Sequence, residues 1–155
     1  MRKNSGATIA ELVLVIAMVA IIGVITITTL VGRKSKVELE TTTKQIVALL
    51  RDAQSRARAQ ASGVAWGVHF ENSTSTAPFY ALFRSSYLVA NRVGYYRLPT
   101  TVGYATSSLA QGASRDVVFS QLNGTASPAS IRIYLINNPV QSSTIQIGTS
   151  GAVSY

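Results

Sequence analysis

The sequence predicts an α+β protein: one long amino-terminal helix, apolar in its first half and amphipathic in its second, packed on an antiparallel β-sheet head. Three observations carry this. Leu12 to Ile25 is an unbroken run without a polar side chain. Ile46, Leu49, Leu50, Ala53, Ala57 and Ala61 then recur at three- and four-residue steps, the period of a helix with one buried stripe. From Val64 onward apolar residues alternate with a period of two, the mark of strands with a buried face.

Composition bounds the rest. A chain of 155 residues is one domain's worth, roughly 100 to 200 residues being usual. Its 13% charged residues are about half the ~25% of typical soluble domains, which excludes a disordered or highly solvated chain. One His and no Cys remove Cys/His zinc sites, disulfide scaffolds and thiol catalysis. Lys and Arg number 14 against 6 Asp and Glu, a net charge of +8.

The apolar run extends through Thr26 to Val31, so Leu12 to Val31 is 20 residues, or about 30 Å as a helix, enough to cross a bilayer. A signal peptide would have a shorter apolar core and a small-residue cleavage site after it. Here Arg33, Lys34 and Lys36 follow directly, so the run stays in the mature protein. Basic residues flank both ends, Arg2 and Lys3 on one side and Arg33, Lys34 and Lys36 on the other. The short leader, and the strand-rich domain that follows, place the amino terminus in the cytoplasm. Glu11 stands alone at the mouth of the run. A carboxylate in hydrocarbon costs several kcal/mol unless paired, so Glu11 is either a solvated acid at headgroup depth or a functional one.

The amphipathic stretch carries Lys44, Arg51, Asp52, Arg56 and Arg58 away from its apolar stripe, and these read as solvated charges. Ser62 and Gly63 supply the stop, giving a helix from about Ala7 to Ala61. Val64, Trp66, Val68 and Phe70 alternate with Ala65, Gly67 and His69 as a strand with one buried face, leaving His69 partly exposed. With no Cys or second His, no metal or triad role is expected of it. Asn72 to Pro78 is a polar turn and Phe79 to Arg84 a second strand, making residues 64 to 84 a hairpin. Val93 to Leu98 is a strand, Pro99 to Gly112 a loop, and Asp116 to Gln121 a strand closed by a turn at Asn123 and Gly124. Ile131, Ile133 and Leu135 form a strand; Asn137 to Pro139 turn the chain; Thr144 to Ile147 form the next strand, and Gly151 to Tyr155 close it. Tyr87, Tyr95, Tyr96 and Tyr104 concentrate in the middle, where strand packing is the commoner fate of Tyr than a contact surface.

Residues 1 to 31 read MRKNSGATIAELVLVIAMVAIIGVITITTLV: a short basic leader, Gly6, a small apolar stretch, Glu11, then the long apolar run. This resembles the leader of type IV pilins and type II secretion pseudopilins. The resemblance implies that a prepilin peptidase cuts between Gly6 and Ala7 and N-methylates Ala7. It also implies that Glu11 pairs with the charged amino terminus of a neighbouring subunit during assembly. The family most often has Phe where this chain has Ala7, and commonly a Pro within the apolar segment, where only Gly23 could weaken this helix. A helix ending LLRDAQSRARAQASGVAWGVHF, then VVFSQLNGTASP, IRIYLI and TIQIGTSGAVSY, is similar to the minor pseudopilin H and FimT-type minor pilins.

The division that follows is a leader at 1–6, a transmembrane and assembly helix at 7–31, an amphipathic helix at 32–62 and a β-rich pilin head at 63–155. The resemblance implies a structural minor subunit of a type II secretion pseudopilus or type IV pilus, anchored singly in the inner membrane and then drawn into a periplasmic or extracellular filament. Its partners would be other pilin or pseudopilin subunits, the prepilin peptidase, the assembly platform and the lipid bilayer before assembly. No cofactor is expected, and no calcium site, because Glu71 and Asp116 are the only acids after residue 63.

The rival reading is a DNA-binding minor pilin acting in DNA uptake. After residue 32 there are 12 basic and 5 acidic residues, a net +7, which would support phosphate contacts. The carboxy-terminal segment, where the DNA-binding basics of such pilins lie, has only Arg132 after residue 115, so DNA is not favoured. An enzyme is expected least: there is no nucleotide loop, no carboxylate pair in a recognisable motif and no nucleophile beside the His.

Overall fold

The computed structural model describes residues 8–155, with the side chains of residues 23–32 outside that description. The chain divides into two compact units at Ser35/Lys36. Helix α1 (Ile9–Arg58) contributes to both.

In the second unit α1 buries one stripe: Leu39, Thr42, Thr43, Ile46, Val47, Leu50, Ala53 and Ala57. The stripe starts earlier than the apolar pattern suggests because two threonines belong to it. Thr42 and Thr43 enter the core by donating their hydroxyls to the carbonyls of Glu38 and Leu39, both at 2.8 Å, one turn back. The expected end at Ala61 is three residues too late. Gln60 turns left-handed at φ 51° and a short 3-10 turn, Ala61–Gly63, follows. The Ala61 carbonyl then accepts from the Trp66 indole at 2.8 Å, fixing the chain's entry into the sheets.

Two four-stranded antiparallel sheets make up the head. The first has the order β3 (Arg92–Arg97), β2 (Phe79–Arg84), β1 (Trp66–Glu71), β5 (Ser114–Phe119). The second has the order β4 (Val102–Tyr104), β6 (Ala129–Leu135), β7 (Asn138–Ile147), β8 (Val153–Ser154). The hairpin of residues 64–84 forms as β1 and β2, with Val68 opposite Leu82 and Phe70 opposite Tyr80. Their inner faces join the α1 stripe, Val117, Phe119, Ile131, Ile133 and Ile145 in one core. Contiguous burial of this kind is what stabilises a small two-layer domain.

Four expectations change. β1 is buried on both faces from Trp66 to Phe70, not on one, because it is a central strand whose outer face is covered as well. β4 arises inside the stretch expected to be a loop, recruited by pairing with β6. β7 begins at Asn138, so Pro139 lies in a strand and not in a turn. β8 closes the sheet within the segment that only ended the chain in sequence.

One clamp ties α1 to the two turns flanking sheet two. Gln54 donates its amide to the carbonyls of Gly124 at 3.1 Å and Ser150 at 3.3 Å, and Arg51 donates to the Val153 carbonyl at 3.1 Å. Gly151, at φ +77°, allows this approach: a Cβ there would lie 2.0 Å from the Gly124 oxygen. The tyrosine cluster is mostly strand packing. Tyr104 is buried and donates to the Phe79 carbonyl at 3.1 Å, and Tyr96 stacks on Tyr80 with centroids 5.4 Å apart. Burial, with Tyr96 adding to it, pushes the Tyr80 phenol up to about 12. Burial likewise raises Tyr104 well above its ordinary value.

Candidate assembly site

The first unit starts with a helix cap. Thr8 stands just before α1; its hydroxyl oxygen accepts the Glu11 N–H at 3.3 Å and its carbonyl accepts the Leu12 N–H at 3.2 Å. Thr-x-x-Glu is the capping-box spacing, and a carboxylate in the first turn faces the positive end of the helix dipole. Glu11 therefore has a local role in starting the helix, signalled by Thr8 three residues upstream and missed in the motif reading. Its carboxylate is exposed and has no ion-pair partner among the described residues.

Every described side chain from Thr8 to Ile22 is exposed, although most are large and apolar. Ile9 is 85% exposed and Val15, the least exposed large one, still 53%. Among the described residues of this unit nothing buries that apolar surface, and such surface marks contact with lipid or with other helices. Among the described residues no helix is long and apolar enough to cross a membrane. The expected span Leu12 to Val31 passes into residues 23–31, whose side chains lie outside the described residues, as does the expected weak point at Gly23. The expected cleavage residues Gly6 and Ala7 also lie outside the described residues.

In the head, the residue most unlike its expectation is His69. It is 5% exposed and not partly open. Its Nδ1 lies 2.5 Å from Asp116 Oδ1 and its Nε2 3.3 Å from Glu71 Oε2. Each ring nitrogen thus faces a carboxylate oxygen, Asp116 at Nδ1 and Glu71 at Nε2. Tyr87 lies flat on the ring at 3.5 Å between centroids. Burial raises the Tyr87 phenol, and Arg92, hydrogen-bonded to it, pulls it back. Nothing in the sequence points from His69 to Asp116; the register of β1 with β5 sets them opposite one another. With both nitrogens engaged, this cluster is a strut without a free base. No group of three or more His, Asp or Glu is placed to hold a metal ion among the described residues.

The basic residues of the head are largely engaged within it. Arg56 pairs with Asp52 at 2.9 Å and lies over the Trp66 ring, so it is less free than a solvated charge. Arg115 donates to the Ser130 carbonyl and Arg132 to Ser142 Oγ at 2.9 and 3.2 Å. Arg92 and Arg97 flank Tyr95, at 4.7 and 6.0 Å from its ring centre. These contacts spread the positive charge over both sheets instead of gathering it in one stripe.

An amino-terminal helix packed on antiparallel sheets is a fold this chain shares with pilins of known structure. Two crystal structures of the type IV minor pilin FimU of Pseudomonas aeruginosa share it: one at TM-score 0.53, covering 75% of this chain and 90% of that one, the other at 0.54, covering 76% and 87%. Both are 16% identical to this chain in sequence, so the likeness is one of fold. No family model matches the sequence, and no curated protein matches it.

Proposed function

We propose that this chain is a structural minor pilin or pseudopilin subunit that assembles into a filament through its amino-terminal helix. The observation that carries the reading is the apolar helix end, exposed on all sides from Thr8 to Ile22 and headed by Glu11, which has no ion-pair partner among the described residues. Removal of residues 1–6 between Gly6 and Ala7 would create an amine, open to N-methylation, on the same helix end as Glu11. In a water-poor bundle of such helices each carboxylate needs a cation and each amine an anion, and adjacent subunits supply both. Before assembly the run Leu12 to Val31 would lie in the inner membrane with the amino terminus in the cytoplasm. Any local melting would centre near Gly23. The basic leader, Gly6 and Glu11 spacing, together with the pilin fold, favour this over a membrane-anchored domain of another kind.

Within that reading the sequence segments VVFSQLNGTASP, IRIYLI and TIQIGTSGAVSY of the head favour the minor pseudopilin H and FimT-type group. Both settings, a type II secretion pseudopilus and a type IV pilus, use the same assembly chemistry. The test is filament recovery with Glu11→Ala and with Glu11→Asp, alongside mass spectrometry of the membrane-extracted chain. Intact residues 1–6 in cells with an active peptidase, or wild-type filament yield from Glu11→Ala, would refute the proposal.

A further inference from the structure

The second sheet and the loops that bridge it to the first line an uncharged cleft to which no residue of α1 contributes. Its main concavity, about 370 Å³, is lined by the turn before β2, the β3–β4 connection, β4 and the end of β6. An adjoining concavity of about 300 Å³ shares Thr106 and Tyr134 with it, so the Tyr134 ring stands between the two. The larger volume lies within the range of small-ligand sites.

Three features define what fits. No lining residue of the main concavity is charged, in a chain of net charge +8, and Leu98 to Ser114 carries no charged residue at all. Arg132 enters only the adjoining concavity, with its guanidinium turned onto Ser142. Thr100, Thr106, Gln111 and Tyr134 line the cleft, the first three solvent-exposed, and their side chains have no hydrogen-bond partner among the described residues. Finally, Gly103 is the partner of Tyr134 across the β4–β6 ladder, so no side chain covers the ring from that strand. A Cβ at Gly103 would lie 3.6 Å from both the Tyr134 ring and Ile136 Cγ1, in ordinary contact with each.

An ionic ligand would find no counter-charge in the main concavity, and a purely apolar one would displace water from the hydroxyl and amide groups without replacing its hydrogen bonds. A ring bearing hydroxyls at its edge and C–H groups on its face satisfies both, laying the C–H face on Tyr134 and its hydroxyls toward Thr100, Thr106 and Gln111. We propose that this cleft is a binding site for a neutral saccharide. The proposal is independent of the assembly reading, since none of these residues belongs to the helix end.

The experiment is saturation-transfer NMR on the full chain in detergent, with maltose, cellobiose, lactose and diacetylchitobiose as probes. The expected result is transfer to at least one disaccharide, retained in high salt and in Tyr134→Phe. Tyr134→Ala and Gly103→Val, the latter filling the cleft, should weaken it by roughly tenfold or more, with Trp66 fluorescence reporting an unchanged head. The proposal is overturned if none of the probes receives transfer from the wild-type chain, or if transfer persists undiminished in Gly103→Val. Transfer abolished by salt would equally overturn it, by assigning the contact to Arg132. If the wild-type chain gives no transfer while Gly103→Val lowers filament yield, the cleft is a subunit contact and the saccharide assignment fails.

Discussion

Replacing Gly151 with Ala tests the clamp between α1 and sheet two more sharply than any core truncation. The backbone there sits at φ +77°, where a side chain costs about 1 kcal/mol before any contact is considered. The new methyl would lie 2.0 Å from the Gly124 oxygen and 2.4 Å from Gln54 Nε2. The Gly124 carbonyl must retreat by about 1.4 Å to reach an ordinary contact, which is a backbone movement costing roughly 1–3 kcal/mol. That retreat breaks the Gln54 bond to Gly124, now 3.1 Å, losing about another 1 kcal/mol. A total near 4 kcal/mol is a large part of the 5–15 kcal/mol that holds a domain together, and should lower Tm by roughly 10–15 °C. Urea denaturation read by Trp66 suits the assay, because it is the only Trp and is 4% exposed. Gly148→Ala is the control: its Cβ would meet nothing nearer than 3.8 Å, so it should stay within about 0.5 kcal/mol of wild type. A Gly151→Ala chain as stable as Gly148→Ala would show that the clamp does not hold as described.

Alkaline pH should weaken the head. Tyr80 and Tyr104 bind their protons more tightly when folded, so their stabilisation is complete below about pH 10 and is lost as pH rises toward 12 for Tyr80 and beyond for Tyr104. A flat urea midpoint from pH 9 to 12 would count against this. Asp116→Asn should cost roughly 1–2 kcal/mol, since it leaves buried His69 with a neutral partner on one side; equilibrium unfolding that matches wild type would refute the strut. Thr8→Ala should lower helix content at the amino-terminal end, at a cost of about 1 kcal/mol, measured by amide exchange at Glu11 and Leu12. The chain should not be retained on DNA at physiological salt, because its arginines are spread over both sheets and largely engaged; retention there that falls steeply with added salt would favour the DNA-uptake reading.

Local pattern carried a good part of the fold. Phe79–Arg84 emerges as the expected strand, and Ile46, Leu50, Ala53 and Ala57 are buried at the spacing that marked them. Period and propensity act over a few residues, so they are legible without a partner. Thr42 and Thr43 escape that pattern because a hydroxyl counts as polar until it is bonded to the preceding turn. β4 escapes it because Val102–Tyr104 is three residues long and becomes a strand only through β6.

At the candidate site, Glu11 was legible because an acid beside an apolar run is conspicuous in any reading. The sequence by itself determined the apolar helix end, the acid that heads it, the basic balance and the helix-then-strands order, all properties of residues close together in the chain. Only the tertiary structure decided what meets what. It set His69 between Asp116 and Glu71, brought Gly151 against Gly124 and Gln54, and paired Tyr134 with Gly103. The reason is that strand register joins residues dozens of positions apart, and no local signal specifies which distant side chain a folded ladder will place opposite.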